Sequence, residues 1–309
     1  MKRCLMLFLV VTLPVFGFDW PLDTLKVSAT FGSNRGDHFH AGVDLAKGGE
    51  AVTPIAPGEL LFYYDEGRDY STLPVGLGSF MVLQHEGGIL SLYCHLEAGS
   101  LERERFRFEG DQVLGVSGSS GSAQGSLLYL SIIDSEMKTV LNPFLLLPAV
   151  ADNQAPRIRG LYVSDGSRLL ELTSETGEIP LVGEVEVLAE VFDLREDVSF
   201  VSKFAPYQIS LYQDGKEVTS LTFDSLTRES PPAGPSADQG RPPDGGGSMV
   251  TVSGKKSFTA VYDSSAEWLF RLGWVQLVPG ETSLLLVARD FAGNESLKEL
   301  QLRVAAGAQ

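Results

Sequence analysis

Phe80-Met-Val-Leu-Gln-His85, Glu86-Gly-Gly88 and Ile89-Leu-Ser-Leu-Tyr-Cys-His95 form the stretch that decides the fold class. Two apolar runs, too short for helices, flank a turn with two glycines, which take positive φ without a Cβ clash. The segment reads as a β-hairpin. The same pattern extends outward. Val52 to Tyr64 reads as extended, with Pro54, Pro57 and Gly58 setting a turn, and Leu127 to Ile133 reads as another strand. Helical periodicity is nearly absent. Short strands separated by turn signals predict an antiparallel β sandwich or partly open barrel over residues 18–150.

Asn142-Pro143-Phe144 and Ala155-Pro156 punctuate a boundary near residue 150. Beyond it, strands are expected over 158–163, 184–192, 207–212, 217–223, 250–261, 283–288 and 297–304. Asp214-Gly215 and Asp290-Phe-Ala-Gly-Asn294 read as turns. That density of strands predicts an immunoglobulin-like β sandwich over 151–309, so the whole chain is expected to be all-β. Residues 230–248, rich in Pro, Gly and Ser, cannot bury enough apolar surface to order themselves and are expected to be a disordered insertion.

Residues 1–17 are expected to be a secretory signal peptide. Lys2 and Arg3 precede the apolar run Cys4 to Val15, and Val15 and Gly17 are small residues suited to cleavage. The run is too short to span a bilayer comfortably, and no later segment suits a membrane span. The mature chain would then be secreted, periplasmic or otherwise in the cell envelope, with Cys94 as its one thiol. Cys94 reads as a buried bystander on a strand, facing away from its neighbour His95. A formal net charge of −16, with no basic patch, excludes nucleic acid as a partner. The alternating run Leu101-Glu-Arg-Glu-Arg-Phe-Arg-Phe-Glu109 reads as a solvated edge.

All four histidines, His38, His40, His85 and His95, fall before residue 96. Histidine is the commonest metal ligand and titrates near neutral pH. A hydrolytic zinc site needs three protein ligands and an open position for water. His40 and Asp44 suit two ligand positions, although in a straight strand they would stand roughly 13 Å apart. The chain is therefore expected to bend at Ala41-Gly42. His95, on a neighbouring strand, suits the role of a proton-handling imidazole. His38 reads as a flanking loop residue and His85 as structural.

These residues belong to a longer pattern. Trp20-Pro21-Leu22, Phe31-Gly32, Arg35 and His40-Ala-Gly-Val-Asp44-Leu45 resemble the opening of the LytM/lysostaphin-type peptidase M23 family. Those proteins are zinc endopeptidases that cut peptide cross-links in bacterial cell walls. Ala51-Val-Thr-Pro-Ile-Ala56, Gly76 to His85, Leu92 to Leu96, the glycine-rich run Gly110 to Gly125 and Asn142-Pro143 continue the resemblance in register. It implies that His40 and Asp44 bind zinc and that His95 assists catalysis.

The pattern then departs from the family. After the glycine-rich run the family carries His-x-His, a catalytic imidazole followed by the third zinc ligand. Here Leu127 and Tyr129 stand in those places. Leucine neither binds metal nor moves protons, and a phenol with a reference pKa near ~10 is an unusual zinc ligand. The resemblance therefore implies a degenerate M23 module that holds zinc weakly or not at all. Such a module would bind peptidoglycan or regulate a cell-wall hydrolase. Two alternatives stay open: an active zinc endopeptidase whose third ligand is Tyr129, His38 or His95, and a purely structural envelope scaffold.

Overall fold

The computed structural model describes residues 17–35, 38–69, 76–195, 203–229, 249–252, 257–258 and 268–306. The expected insertion 230–248 and the expected signal peptide, apart from Gly17, lie outside the described residues. Among the described residues every regular element is a β-strand except two single 3-10 turns, Glu86–Gly88 and Pro143–Leu145.

The hairpin organises the first part of the chain. Ser79–Gln84 and Ile89–Leu96 pair antiparallel, with Met81 opposite Tyr93 and Leu83 opposite Ser91. The sheet runs in the order Arg107–Phe108, Gly58–Tyr64, Ser79–Gln84, Ile89–Leu96, Leu128–Asp134 and Thr139–Leu141. Val43–Leu45 also pairs with Leu128–Asp134, and Val27–Ala29 pairs with Val43–Leu45. Alternate residues of each strand face one core, among them Met81, Leu83, Tyr93, Leu128, Leu130 and Ile132. Each such large apolar side chain contributes about 1.5–3 kcal/mol on burial. Tyr93 is fully buried, and its hydroxyl accepts a hydrogen bond from the Ile55 N–H at 2.8 Å.

The sheet continues past Thr139–Leu141. Ser225–Glu229 pairs with that strand, Met249–Val252 with Ser225–Glu229, and Ser257–Phe258 with Met249–Val252. The sequence pattern had placed 250–261 in a second sandwich; Met249–Val252 and Ser257–Phe258 instead extend the first sheet. An open edge offers a row of unpaired N–H and C=O groups, and an extended segment that reaches it satisfies them.

The rest of the C-terminal part is two further sheets facing each other. One carries Leu169–Glu171, Arg157–Ser164, Gly183–Leu194 and Lys203–Phe204, with Leu269–Leu277 also on Gly183–Leu194. The other carries Glu178–Ile179, Glu295–Val304, Gly280–Arg289, Gln208–Gln213 and Lys216–Thr222. Val187, Val191, Phe270 and Leu272 from the first meet Ile209, Leu211, Leu286 and Leu302 from the second in one buried core. The strand Leu269–Leu277 escaped the sequence pattern for a local reason. Its buried residues run Phe270, Leu272, Val275, Leu277, so the period of two slips by one at Gly273, where φ is 121° and the ladder shifts register.

The two cores exchange residues. Phe204 belongs to the first, while Phe31 and Phe39 belong to the second. Phe39 packs edge-on against Phe223 at 5.3 Å and stacks on Phe270 at 6.3 Å between ring centres. Thr30 Oγ1 accepts from the Ala205 N–H at 3.0 Å, and Asn34 Nδ2 donates to the Leu269 carbonyl at 3.4 Å. The loop that leads into His40 is therefore held by the C-terminal sandwich.

Candidate functional site

Asp44, Cys94 and Tyr129 lie on three adjacent strands, with Tyr129 directly opposite both of the others across its two ladders. Residues directly opposite share a face. That face looks into a cavity of about 710 Å³ lined by Arg35, His38, His40, Asp44, His95, Leu127 and Tyr129 among others. Leu127 and Tyr129 share it because they are two apart on one strand, while Leu128 and Leu130 between and beyond them point into the core. His40, Asp44, His95, Leu127 and Tyr129 are thus brought together. His38 reaches the same cavity from an exposed position.

His40 is buried, and its Nδ1–H donates to the Thr30 carbonyl at 3.0 Å. Its Nε2 lies 3.3 Å from Asp44 Oδ1. Because a carbonyl only accepts, Nδ1 carries the hydrogen. The Nε2–Asp44 contact is then attractive only with a proton or a cation on the line between them. Arg35 Nη2 donates to the other oxygen, Oδ2, at 3.2 Å. The expected bend between His40 and Asp44 is present, but Gly42 serves it by lack of bulk. A Cβ there would stand 2.4 Å from the Leu130 carbonyl oxygen and 2.6 Å from Tyr129 Cε2.

His95 departs from the regular strand that the sequence suggested. Its φ is 62°, in the left-handed region that non-glycine residues avoid. Strict alternation ends there, so His95 lines the cavity although its neighbour Cys94 is the residue paired with Tyr129. Strain of this kind costs on the order of 1 kcal/mol and persists where surrounding contacts impose it. Here the His95 N–H donates to the Leu77 carbonyl and Nδ1–H to the Ser120 carbonyl at 2.9 Å. Nε2 is left with its lone pair in the neutral ring.

Tyr129 turns its hydroxyl away from a ligand role. The O–H donates to the Ala41 carbonyl at 3.0 Å, and Ser131 Oγ donates to the same oxygen at 2.8 Å. Burial pushes the phenol well above its ordinary range, which disfavours phenolate. Burial, and then the charge of Asp44, likewise pushes the Cys94 thiol up, so it is not poised as a nucleophile. His85 lies outside the cavity, with Nδ1 bonded to the Pro57 carbonyl and Nε2 to Ser91 Oγ.

This set does not fit a hydrolytic zinc centre. Such a centre uses three protein ligands, and among the described residues no third His, Cys, Asp or Glu ligand atom joins His40 and Asp44 to make a group mutually within 4.8 Å. Asp44 is shared with a guanidinium, the Tyr129 proton is committed to a carbonyl, and leucine stands at 127. Among the described residues, the one group of three His, Cys, Asp or Glu with ligand atoms mutually within 4.8 Å lies elsewhere, at Asp152, Asp193 and Asp290. Three contributors had no distinctive sequence signal. Arg35 was visible only as part of the family pattern, and the Thr30 and Ser120 carbonyls belong to the backbone.

Residues 38–143 match the family model described as Peptidase family M23. A second family model matches residues 155–305. No curated protein matches the chain. Among solved structures, the chain is similar to a zinc-containing peptidase from Vibrio cholerae, at 20% identity over 38% of this chain and 36% of that one, with a TM-score of 0.32. It is similar also to a peptidase M23 structure from Pseudomonas aeruginosa, at 23% identity over 37% and 44% of the two chains, with a TM-score of 0.30. The chain thus spans less than half the length of either relative. The catalytic domain of lysostaphin from Staphylococcus simulans aligns at 20% identity over 36% of this chain and 81% of that one, with a TM-score of 0.31. No helix among the described residues is long and apolar enough to cross a membrane.

Proposed function

We propose that the M23 segment is a non-hydrolytic module of the cell envelope, which uses its cavity to bind peptidoglycan peptide or to engage and regulate a wall hydrolase. The observation that carries this reading is the Tyr129 hydroxyl, which donates to the Ala41 carbonyl; the sequence resemblance aligns Tyr129 with the family's third zinc ligand. An M23 enzyme activates water on a three-ligand zinc; with two ligands, the chemistry has no firmly held ion. The cavity, its Arg35 cation and its imidazoles remain able to recognise a peptide carboxylate or amide. Export through the segment 1–17 belongs to the same proposal, and the C-terminal sandwich, read as immunoglobulin-like, acts by holding Thr30, Phe31, Asn34 and Phe39. Metal analysis paired with a muropeptide-release assay tests it. Zinc well below one equivalent, no release, and retention on whole sacculi or on a hydrolase support it. Stoichiometric zinc with cleavage lost in His40→Ala overturns it.

One observation favours a second reading, an altered zinc endopeptidase. His40 Nε2 faces Asp44 Oδ1 at 3.3 Å with its other nitrogen already donating, an arrangement that accepts a cation. The same metal analysis separates the two. A third reading, a structural scaffold, predicts binding to neither sacculi nor hydrolase.

A further inference from the structure

Three carboxylates meet where the first sheet gives way to the C-terminal sandwich. Asp152 comes from the connecting segment, Asp193 from the end of Gly183–Leu194, and Asp290 from the turn after Gly280–Arg289. One oxygen of each lies within 4.8 Å of the other two. Asp193 and Asp290 are 5% and 2% exposed, and the Asp152 side chain 3%. Arg195 lies beside the three carboxyl groups, its Nη1 4.0 Å from Asp152 Oδ2.

The three are not equally satisfied. Asp290 accepts from the Asn294 N–H and from Asn294 Nδ2, both at 2.8 Å. Asp152 Oδ1 accepts from the Gln154 N–H at 3.0 Å. Asp193 Oδ1 is fully buried and has no hydrogen-bond partner. A buried carboxylate oxygen without a donor is strongly disfavoured and is a rare feature of folded proteins. Without a cation, burial and then the charges of Asp290 and Asp152 raise the Asp193 carboxyl to about 8. A cavity of about 470 Å³ reaches Asp152, Asp193 and Arg195, leaving room for an ion and its waters.

We propose that Asp152, Asp193 and Asp290 form a divalent-cation site, and that its ion is Ca²⁺. The donors are all hard oxygens, with no nitrogen or sulfur among them, which selects Ca²⁺ or Mg²⁺ over zinc. Ca²⁺ bonds of about 2.3–2.6 Å span this spacing with small side-chain adjustments, and waters complete its irregular shell; Mg²⁺ demands a tighter octahedron. The ion joins the connecting segment to both sheets of the sandwich. The sandwich holds Phe31, Asn34 and Phe39 beside His40, so the site also steadies the cavity from a distance. This proposal does not depend on whether the M23 segment hydrolyses anything.

The test uses the purified full chain, stripped with EGTA and titrated with CaCl₂ or MgCl₂ by calorimetry, with thermal midpoints recorded in parallel. One Ca²⁺ per chain, a midpoint that climbs with Ca²⁺, and at least tenfold weaker binding in Asp193→Asn and in Asp152→Asn are expected. Asp193→Asn puts a neutral group of the same shape in this buried position, so in EGTA its midpoint should equal or exceed that of the parent, and in Ca²⁺ it should fall below the parent's. Asp152 lies outside the strands, which keeps the test available should Asp193→Asn fail to fold. Absence of Ca²⁺ heat with equal midpoints in EGTA and Ca²⁺, or undiminished Ca²⁺ binding in both variants, overturns the proposal.

Discussion

Tyr129 and Gly42 together explain why the candidate site has its present form. The phenol fills the space beside His40, with ring centres 5.3 Å apart, and closes on the Ala41 carbonyl. Gly42 makes that approach possible, because a Cβ would collide with the Tyr129 ring and the Leu130 carbonyl. Gly42→Ala is expected to cost about 1–3 kcal/mol through overpacking, read from urea denaturation. Leu127→His together with Tyr129→His should raise zinc content to about one equivalent per chain, the three-ligand requirement being met; unchanged metal content would mean that these two replacements do not complete a zinc site. His85 gives a pH prediction. Burial holds its imidazole below the ordinary value of 6.5, against a smaller opposing effect of the Pro57 carbonyl. A base with a depressed folded pKa stabilises the fold fully above its unfolded pKa and loses that contribution as pH falls through the folded value. Urea midpoints should therefore fall on acidification below about pH 6.5, with a shallower slope in His85→Asn; identical slopes would exclude His85 as the cause.

At the scale of elements, what the sequence revealed depended on where the partner lay. The hairpin Ser79–Leu96 was legible because its strands are neighbours in sequence and its glycines mark the turn. Ser225–Glu229 was not, because Ser-Leu-Thr-Arg-Glu has little apolar alternation and becomes a strand by meeting the edge at Thr139–Leu141. His95 likewise read as an ordinary strand residue, and its left-handed backbone is imposed by Leu77 and Ser120 from distant segments. Asn142 carries a junction of the same kind. It is 1% exposed, its Oδ1 accepts from the Phe144 N–H, and its Nδ2 donates to the Phe223 carbonyl 81 residues away. Asn142→Ala should cost about 1–3 kcal/mol, since it leaves a buried carbonyl unsatisfied; a change within error in urea denaturation would show that water replaces the lost donor.

For the whole molecule, the exchange of residues between cores makes a single cooperative unit. Phe31 and Phe39 sit in the second core, Phe204 in the first, and one sheet crosses residue 150. Differential scanning calorimetry should give one transition, and Phe39→Ala, which empties a site between Phe223 and Phe270, should lower its stability by about 3–5 kcal/mol. Two separate transitions, with only the later one moved by Phe39→Ala, would refute this coupling. The sequence by itself determined the all-β class, the clustering of the histidines, and the absence of histidine at 127 and 129, because strand alternation and residue chemistry are local properties. Tertiary structure alone decided that Arg35 pairs with Asp44, that the Tyr129 proton goes to Ala41, that the sandwich grips the loop before His40, and that Asp152, Asp193 and Asp290 meet. Each of those facts joins positions far apart in the chain or involves backbone atoms common to every residue, and only the folded chain brings them within bonding distance.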